Sequence, residues 1–229
     1  MPFSIVIPVY NEEKIIDINT KKLIKFLNRL KTRYEIIIAD NGSDDRTAEI
    51  AKRLEKKFSK VRLISIARKG AVGWAFRNAV LSARYENIIS LDMDLSIDLN
   101  FVSACLKLLK ENSIVIGSKL TGSQQRSVLR RFASFVFIFM TRVLLNLRFR
   151  DYSLAAKGYR RKDIIEYVKK VDKGSAYVFE LLYSAKKRRL KMCEIPTHCF
   201  DKRRSKFSFI DEVLYRFRSL LTLWLRNML

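Results

Sequence analysis

Two aspartates separated by one residue follow an apolar run near the middle of the chain. The run at residues 88–91 is typical of a buried strand, and Asp92 and Asp94 come directly after it. Side chains alternate along an extended chain, so both carboxylates are expected on one face, with Met93 turned away. Such a pair suits Mg²⁺ or Mn²⁺, which bind carboxylate oxygens together with substrate phosphates. The alternative interpretation is an acidic, solvated turn.

The elements around this pair alternate between apolar strand-like runs and amphipathic helices. Five strands are predicted in the first half, at residues 3–9, 34–39, 61–66, 88–92 and 114–118. Continuous apolar runs are typical of strands buried on both faces of a parallel sheet. With helices between the strands, residues 1–118 are predicted to form a doubly wound α/β domain with right-handed crossovers. A further short strand is predicted at residues 192–195.

Polar residues stand where several of these strands end. Asn11 and Glu12 follow the first strand, Asp40 follows the second, and the Asp92 pair follows the fourth. In an open α/β sheet these ends converge on one edge, where ligands bind. The chain has neither a GxGxxG turn nor a GxxxxGK[ST] loop, which argues against a dinucleotide or P-loop nucleotide site. Phosphates are therefore expected to be bound with the help of a metal.

Composition indicates a folded protein of one compact domain. The 229 residues are 48% hydrophobic, with only 7 Gly and 3 Pro. The three cysteines have no CxxC spacing, which argues against a zinc site and a disulfide framework and suits a reducing compartment. The first residues lack the basic and apolar regions of a signal peptide.

The net charge of +23 is concentrated in the second half of the chain. Residues 1–118 contain 20 Lys and Arg against 14 Asp and Glu, whereas residues 119–229 contain 26 against 9. Such a surface suits nucleic acid, anionic lipid or phosphorylated substrates. A nucleic-acid-binding module is the alternative from a different class of function. The chain lacks RNP-type aromatics, zinc-finger spacing and a helix-turn-helix pattern, which argues against nucleic acid as its partner.

Four short motifs now carry a resemblance to a known family. They are residues 8–12 (Pro-Val-Tyr-Asn-Glu), 40–45 (Asp-Asn-Gly-Ser-Asp-Asp), 69–70 (Lys-Gly) and 92–96 (Asp-Met-Asp-Leu-Ser). In this order they resemble the motifs of family 2 glycosyltransferases with the GT-A fold. Within that family the chain is similar to dolichyl- or polyprenyl-phosphate hexose synthases such as dolichol-phosphate mannose synthase. The resemblance implies a GT-A domain at 1–206, with a nucleotide-sugar-binding half at 1–118 and an acceptor-binding half at 119–206.

The resemblance assigns donor-side roles. Asp92 and Asp94 would be the DxD pair, with Asp94 bridging the cation to the diphosphate of a UDP- or GDP-linked sugar. Neutralising the leaving diphosphate is what such a cation does. Asn41 stands where the family often has a second Asp, and Ser96 where mannose synthases often have Gln. The residues that would line the nucleotide pocket are Pro8, Tyr10, Glu12, Asp40 and Lys69.

On the acceptor side the resemblance points to basic residues. Lys119, Arg130 and Ser134 match contacts to an acceptor phosphate. Arg204 and Lys206 belong to a basic loop that would close on the diphosphate and the acceptor. The alternatives are a core helix that starts with solvated arginines and a basic loop that is merely solvated.

Two helices are predicted to lie at a membrane surface. The stretch 132–147 contains an uncharged run at 132–141, about half of the roughly 20 residues that span a bilayer. It fits an interfacial or a core helix. The C-terminal segment 207–229 has an apolar stripe flanked by Arg216, Arg218 and Arg226, which suits an anionic membrane. Packing of this helix on the catalytic domain, or on a second copy in a homodimer, is the alternative.

The residues predicted to act in catalysis are Asp94, Arg130 and Glu180. Glu180 matches a Glu-Leu-Leu motif of the family, and a structural or hydrogen-bonding role is the first interpretation of it. A lipid phosphate is already an anion at neutral pH, so it needs little help from a base. The sequence thus predicts an inverting, metal-dependent transfer of a hexose to dolichyl or polyprenyl phosphate at the cytoplasmic face of a membrane. Transfer to a sugar hydroxyl is the alternative, and there a carboxylate such as Glu180 would have to act as the base.

Overall fold

The structure is a computed structural model that describes residues 1–66, 71–118, 128–152, 154–199 and 209–227; the side chains of residues 128–131 and 209 lie outside this description. The strands are β1 Phe3–Val9, β2 Tyr34–Asp40, β3 Val61–Ser65, β4 Asn87–Ser90, β5 Ile114–Ser118, β6 Lys157–Arg160 and β7 Met192–Pro196. The helices are α1 Ile16–Arg29, α2 Thr47–Lys57, α3 Val72–Ser82, α4 Asn100–Leu108, α5 Val128–Leu145, α6 Arg161–Val168, α7 Tyr177–Lys187 and α8 Phe209–Leu225.

The named strands form one twisted layer at the centre of the chain. Their order is β3-β2-β1-β4-β6-β5-β7, and all neighbours pair in parallel except β6, which is antiparallel to both β4 and β5. Strands from both halves of the sequence thus belong to the same sheet. The predicted mostly parallel sheet flanked by helices is confirmed.

Strand β6 was not predicted. Its sequence, Lys-Gly-Tyr-Arg, has no continuous apolar run. It nevertheless lies in the middle of the sheet, where Lys157 pairs with Ser90 of β4 and is fully buried. Gly158 allows α4 to approach, because a Cβ at this position would collide with Sγ of Cys105.

Two apolar clusters cover the two faces of the sheet. One contains buried side chains of α1, α2 and α4, and the other contains those of α3, α5, α6, α7 and α8. All seven residues of β2 are buried, and the apolar run 36–39 within it contributes to both clusters. The result is a three-layer α/β/α arrangement.

Helices α5 and α8 pack together on one side and are exposed on the other. The rings of Phe137 and Phe217 meet edge to face at 5.6 Å, and Leu220 is fully buried. The opposite faces carry large exposed apolar side chains: Phe132, Phe135, Phe139 and Val143 on α5, and Ile210, Leu214, Leu221 and Leu225 on α8. The last helix thus packs on the chain and also keeps an exposed apolar face, while its contact with a membrane stays a prediction. Within the described residues, none of the helices combines the length and the apolar character that crossing a membrane requires.

Candidate active site

The two aspartates lie in a turn just beyond β4. The strand ends at Ser90, two residues earlier than predicted, and the N–H of Leu95 donates to the carbonyl oxygen of Asp92 at 3.2 Å. Leu95 has a left-handed backbone conformation (φ 48°) that closes the turn. The predicted alternation persists nonetheless, because Asp92 is exposed, Met93 is buried and Asp94 is partly exposed.

Two residues of helix α1 contact the middle residue of this turn. The Asn19 side chain donates to the carbonyl oxygen of Met93 at 2.9 Å, and the Thr20 hydroxyl lies 3.9 Å from the Met93 sulfur. Asp94 is fixed separately, since its Oδ1 accepts the N–H of Ser96 at 3.0 Å. Sequence reasoning missed Asn19 and Thr20. A signal for Thr20 exists, because it is a polar residue in the buried stripe of an amphipathic helix.

The ends of β1 and β2 form a second part of the site. Asp40 is almost completely buried, and its Oδ1 accepts the Ser43 hydroxyl at 2.5 Å. The Ser43 hydroxyl in turn accepts the N–H of Asn11 at 2.9 Å, and Oδ1 of Asn11 accepts the N–H of Asp44 at 2.8 Å. Asn11 takes a left-handed conformation (φ 54°), which Asn tolerates better than most residues. These bonds tie the two strand-end loops together.

The other predicted donor-side residues lie on the same edge. Pro8 is on β1 beside Ala39 of β2, and Tyr10 and Glu12 follow at the strand end, partly exposed. The Tyr10 hydroxyl donates to Oδ2 of Asp44 at 3.0 Å. The structure therefore brings four predicted residues to the ends of β1 and β2: Pro8, Tyr10, Glu12 and Asp40. Lys69, the fifth, lies outside the described residues.

Asn41, which departs from the family pattern, has a structural contact. Its side chain is 2% exposed, and its Oδ1 accepts the N–H of Ala71 at 2.9 Å. Ala71 is the residue just before α3, so Asn41 joins the end of β2 to the start of that helix. The amide at this position is thus accounted for by the fold.

The acceptor-side predictions fall mostly outside the described part of the chain. Lys119, Arg204 and Lys206 are not among the described residues, and for Arg130 only the backbone, in α5, is described. Ser134 lies one turn further along α5 and is partly exposed. The acceptor-phosphate contacts therefore stay predictions.

Glu180 lies on α7 and faces the connection between α6 and α7. Its Oε2 accepts the N–H of Asp172 at 2.6 Å. Burial raises the pKa of the Glu180 carboxyl, while the hydrogen bond from Asp172 works in the opposite direction. The carboxyl borders a cavity of about 270 Å³ between α7 and α8, to which Tyr215 and Arg226 also contribute.

Tyr177 is a residue near the aspartates that the sequence did not single out. Its ring stacks on Phe76 of α3, with ring centres 4.7 Å apart. Burial raises the pKa of the Tyr177 hydroxyl, and the nearby Asp92 carboxylate raises it further. Helix α7 thus reaches the aspartate turn through its first residue.

The donor atoms at this edge fit a hard divalent cation that is shared with a substrate. Among the described residues no group of three or more His, Cys, Asp and Glu could enclose a metal. Asp92 and Asp94 instead present two carboxylates at the surface. Mg²⁺ and Mn²⁺ suit such a site, because they are commonly bound by one or two carboxylates with water and substrate phosphates completing the shell.

One protein-family model matches most of the chain. The model of glycosyl transferase family 2 matches residues 4–168, which is well over half of the sequence. The chain belongs to glycosyl transferase family 2. The resemblance inferred from the four motifs is thereby confirmed, and the chain is an enzyme, a glycosyltransferase.

Curated relatives extend this similarity beyond the family model. A dolichyl-phosphate beta-glucosyltransferase of Mus musculus is 28% identical over 222 residues, covering 89% of this chain and 68% of the relative. Enzymes of the same name from Dictyostelium discoideum and Drosophila melanogaster are 28% and 26% identical, and cover 96% and 99% of this chain.

Solved structures share the architecture. Glucosyl-3-phosphoglycerate synthase from Mycobacterium tuberculosis, crystallised with Mn²⁺, UDP and phosphoglyceric acid, has a TM-score of 0.73 at 17% identity and covers 97% of this chain and 78% of its own. Mannosyl-3-phosphoglycerate synthase from Rubrobacter xylanophilus has a TM-score of 0.74 at 15% identity, covering 100% and 75%. At these identities the similarity demonstrates the GT-A fold alone.

Proposed function

We propose that this family 2 glycosyltransferase transfers glucose from UDP-glucose to dolichyl or polyprenyl phosphate. The observation that carries the proposal is the similarity, over 89–99% of the chain, to enzymes named dolichyl-phosphate beta-glucosyltransferase. A single displacement by the lipid phosphate inverts the anomeric carbon. UDP-glucose carries an α-linked sugar, so inversion yields the β linkage in the relatives' name.

The cation is assigned to Asp92 and Asp94. Asp92 is exposed and Asp94 is partly exposed at the carboxyl edge of the sheet, beside the strand-end loops of β1 and β2. The proposal is supported by the Mn²⁺ or Mg²⁺ and UDP with which glucosyl-3-phosphoglycerate synthase from Mycobacterium tuberculosis was crystallised. When bound, Mg²⁺ or Mn²⁺ would neutralise charge on the leaving diphosphate. Tyr10, Glu12 and Asp40 would line the nucleotide pocket next to it.

We assign the binding of the acceptor phosphate to the basic second half of the chain. Two anionic substrates must be held together, which requires cationic side chains. Lys119, Arg130, Arg204 and Lys206 would supply them, with Ser134 as a hydrogen-bonding partner. This assignment rests on the motifs and on the excess of 26 Lys and Arg over 9 Asp and Glu in residues 119–229.

An enzyme with a lipid acceptor must work at a membrane surface, and we propose that this enzyme works at the cytoplasmic face. Support comes from the exposed apolar stripes of α5 and α8, two helices that contact each other through Phe137 and Phe217. Exposed Arg142 and Arg218 lie on the same helices and would meet anionic headgroups.

The test is a transfer assay with matched variants. Purified protein is incubated with Mn²⁺ or Mg²⁺, short-chain polyprenyl phosphate and labelled UDP-glucose, with labelled GDP-mannose and UDP-GlcNAc in parallel. We expect label from UDP-glucose in the organic phase, lost in Asp94→Asn and kept in Asp17→Asn, an exposed carboxylate on α1. Transfer only from GDP-mannose or UDP-GlcNAc would refute the donor assignment.

Glu180→Gln distinguishes the two acceptor classes. A lipid phosphate needs no base, so the variant should keep at least about a tenth of wild-type turnover. Label that stays in the aqueous phase, together with complete inactivity of Glu180→Gln, would instead indicate transfer to a hydroxyl.

A further inference from the structure

The short loop of residues 172–175, between α6 and α7, contacts three helices. It meets the start of α3, the inner face of α8 and Glu180 of α7. Neither the family motifs nor the proposed chemistry assigns a role to this loop. Its contacts form a continuous path from α8 to the nucleotide end of the site.

At one end the loop caps α3. The N–H groups of Gly73 and Trp74 both donate to the carbonyl oxygen of Lys173, at 2.8 Å and 3.3 Å. The first N–H groups of a helix have no acceptor within the helix, and here no side chain of the preceding Ala71 supplies one. Gly73 is required for this contact, because a Cβ would collide with the Asp172 carbonyl oxygen and lie 2.7 Å from that of Gly174.

At its other end the loop forms hydrogen bonds with α8. The Tyr215 hydroxyl donates to Oδ1 of Asp172, the same oxygen that accepts the N–H of Gly174 at 2.6 Å. The Ser175 hydroxyl donates to Oε1 of Glu212 at 2.6 Å. Glu212 and Tyr215 are partly buried and do not belong to the exposed apolar stripe of α8.

The start of helix α3 also contacts the end of β2, where the predicted nucleotide pocket lies. The residue before α3, Ala71, donates its N–H to Asn41, and Asn41 follows Asp40 at the end of β2. Displacement of the 172–175 loop would release two N–H groups of α3 and loosen the helix start that Asn41 holds. The nucleotide end of the site would then lose its fixed geometry.

We propose that Tyr215 is a positioning residue for nucleotide-sugar binding: by holding the 172–175 loop it fixes the start of α3 and, through Asn41, the donor pocket. The identity of the ligand rests on the proposed function, whereas the mechanical coupling from Tyr215 to α3 does not. α8 therefore contributes to donor binding from a distance.

Trp74 provides a direct readout of this coupling. Its ring lies 5.0 Å from Nζ of Lys173, so its fluorescence depends on where the loop sits. The chain has two tryptophans, and Trp224→Phe leaves Trp74 as the sole tryptophan, whose emission is excited selectively above the absorption of tyrosine. In this background Tyr215→Phe removes one hydroxyl and keeps the ring. Tyr183→Phe, on the neighbouring helix α7, is the matched control.

Two measurements decide the proposal: the Trp74 emission spectrum and UDP affinity by calorimetry with Mn²⁺. Tyr215→Phe is expected to shift the emission and weaken UDP binding by about five-fold, the effect of losing roughly one hydrogen bond. The kcat for transfer should change less than the KM for the nucleotide sugar, and Gly73→Ala should reproduce both effects more strongly.

Unchanged Trp74 emission in Tyr215→Phe would overturn the coupling, and shifted emission with unchanged UDP affinity would overturn the positioning role. Failure of the wild type to bind UDP or GDP would refute the proposed function and, with it, the donor-binding role of Tyr215. The emission comparison would still decide the coupling.

Discussion

The side-chain amide of Asn19 donates a hydrogen bond of 2.9 Å to the carbonyl oxygen of Met93, the residue between the two aspartates. Helix α1 thereby holds the turn that presents both carboxylates. The bond crosses from one helix to a loop 74 positions away, so it is a tertiary contact and not part of any motif. The geometry of a shared metal site depends on such supporting contacts.

Replacement of Asn19 should therefore weaken the binding of the cation and leave the fold intact. In Asn19→Ala we expect the Mn²⁺ concentration for half-maximal activity to rise by about ten-fold, in the range known for outer-shell partners of metal ligands. A metal titration of the transfer rate measures this. Lys22→Ala, on an exposed position of the same helix, is the control. An unchanged Mn²⁺ requirement in Asn19→Ala would contradict the supporting role.

Metal removal should abolish transfer reversibly. Chelation with EDTA is expected to stop the reaction, and added Mn²⁺ or Mg²⁺ should restore it, because the diphosphate is a poor leaving group without a cation. Asp94→Asn should not be rescued at any Mn²⁺ concentration. Its fold should persist, because an Asn Oδ1 can still accept the N–H of Ser96. Full activity in EDTA would exclude the proposed metal dependence.

The partly buried carboxyl of Glu180 predicts a stability effect that depends on pH. Burial raises its pKa in the folded state, so ionisation costs more in the folded than in the unfolded chain. This carboxyl therefore stabilises the fold less as the pH rises through its folded-state pKa. The free energy of unfolding of Glu180→Gln, measured in urea titrations as a difference from that of the wild type, should therefore increase from pH 4 to pH 7. A constant difference across this range would contradict the prediction.

The sheet and the aspartate pair could be predicted because each leaves a local signal. β1 and β5 are continuous apolar runs, and Asp92 and Asp94 stand where such a run stops. β6 leaves no such signal, because Lys157 and Arg160 are charged and the strand exists only as an antiparallel insertion between β4 and β5.

The contacts that support the site could not be predicted for a related reason. Asn19, Tyr177 and the 172–175 loop act through partners that are distant in sequence, and the pattern of one segment carries no information about such partners. The acceptor residues Lys119, Arg204 and Lys206 rest on motif similarity alone, since they lie outside the described residues.

The packing of β6 can be tested through its glycine. In Gly158→Ala the new Cβ collides with Sγ of Cys105 on α4, so we expect a loss of about 1–3 kcal/mol in the free energy of unfolding. Removing the sulfur should relieve the collision. In a Cys105→Ala background the same glycine substitution should therefore cost clearly less. Equal costs in both backgrounds would show that the two positions are not in contact.

The exposed stripes of α5 and α8 predict binding to anionic membranes. Phe135 and Leu214 are 68% and 62% exposed on helices that also carry exposed arginines. Burying such side chains in a bilayer gains about 1.5–3 kcal/mol each, in addition to the attraction of the arginines for acidic headgroups. We therefore expect Phe135→Glu with Leu214→Glu to reduce sedimentation with vesicles that contain phosphatidylglycerol by at least about ten-fold.

The control for this experiment is another exposed apolar residue on the opposite layer of the fold. Ile18 of α1 is 66% exposed, so Ile18→Glu makes the same chemical change away from α5 and α8. It should leave vesicle binding unchanged. Equal loss in Ile18→Glu would indicate a non-specific effect of charge. If the double variant bound vesicles as the wild type does, α5 and α8 would not be the membrane surface, and their apolar faces would have to be tested as a contact between two copies of the chain.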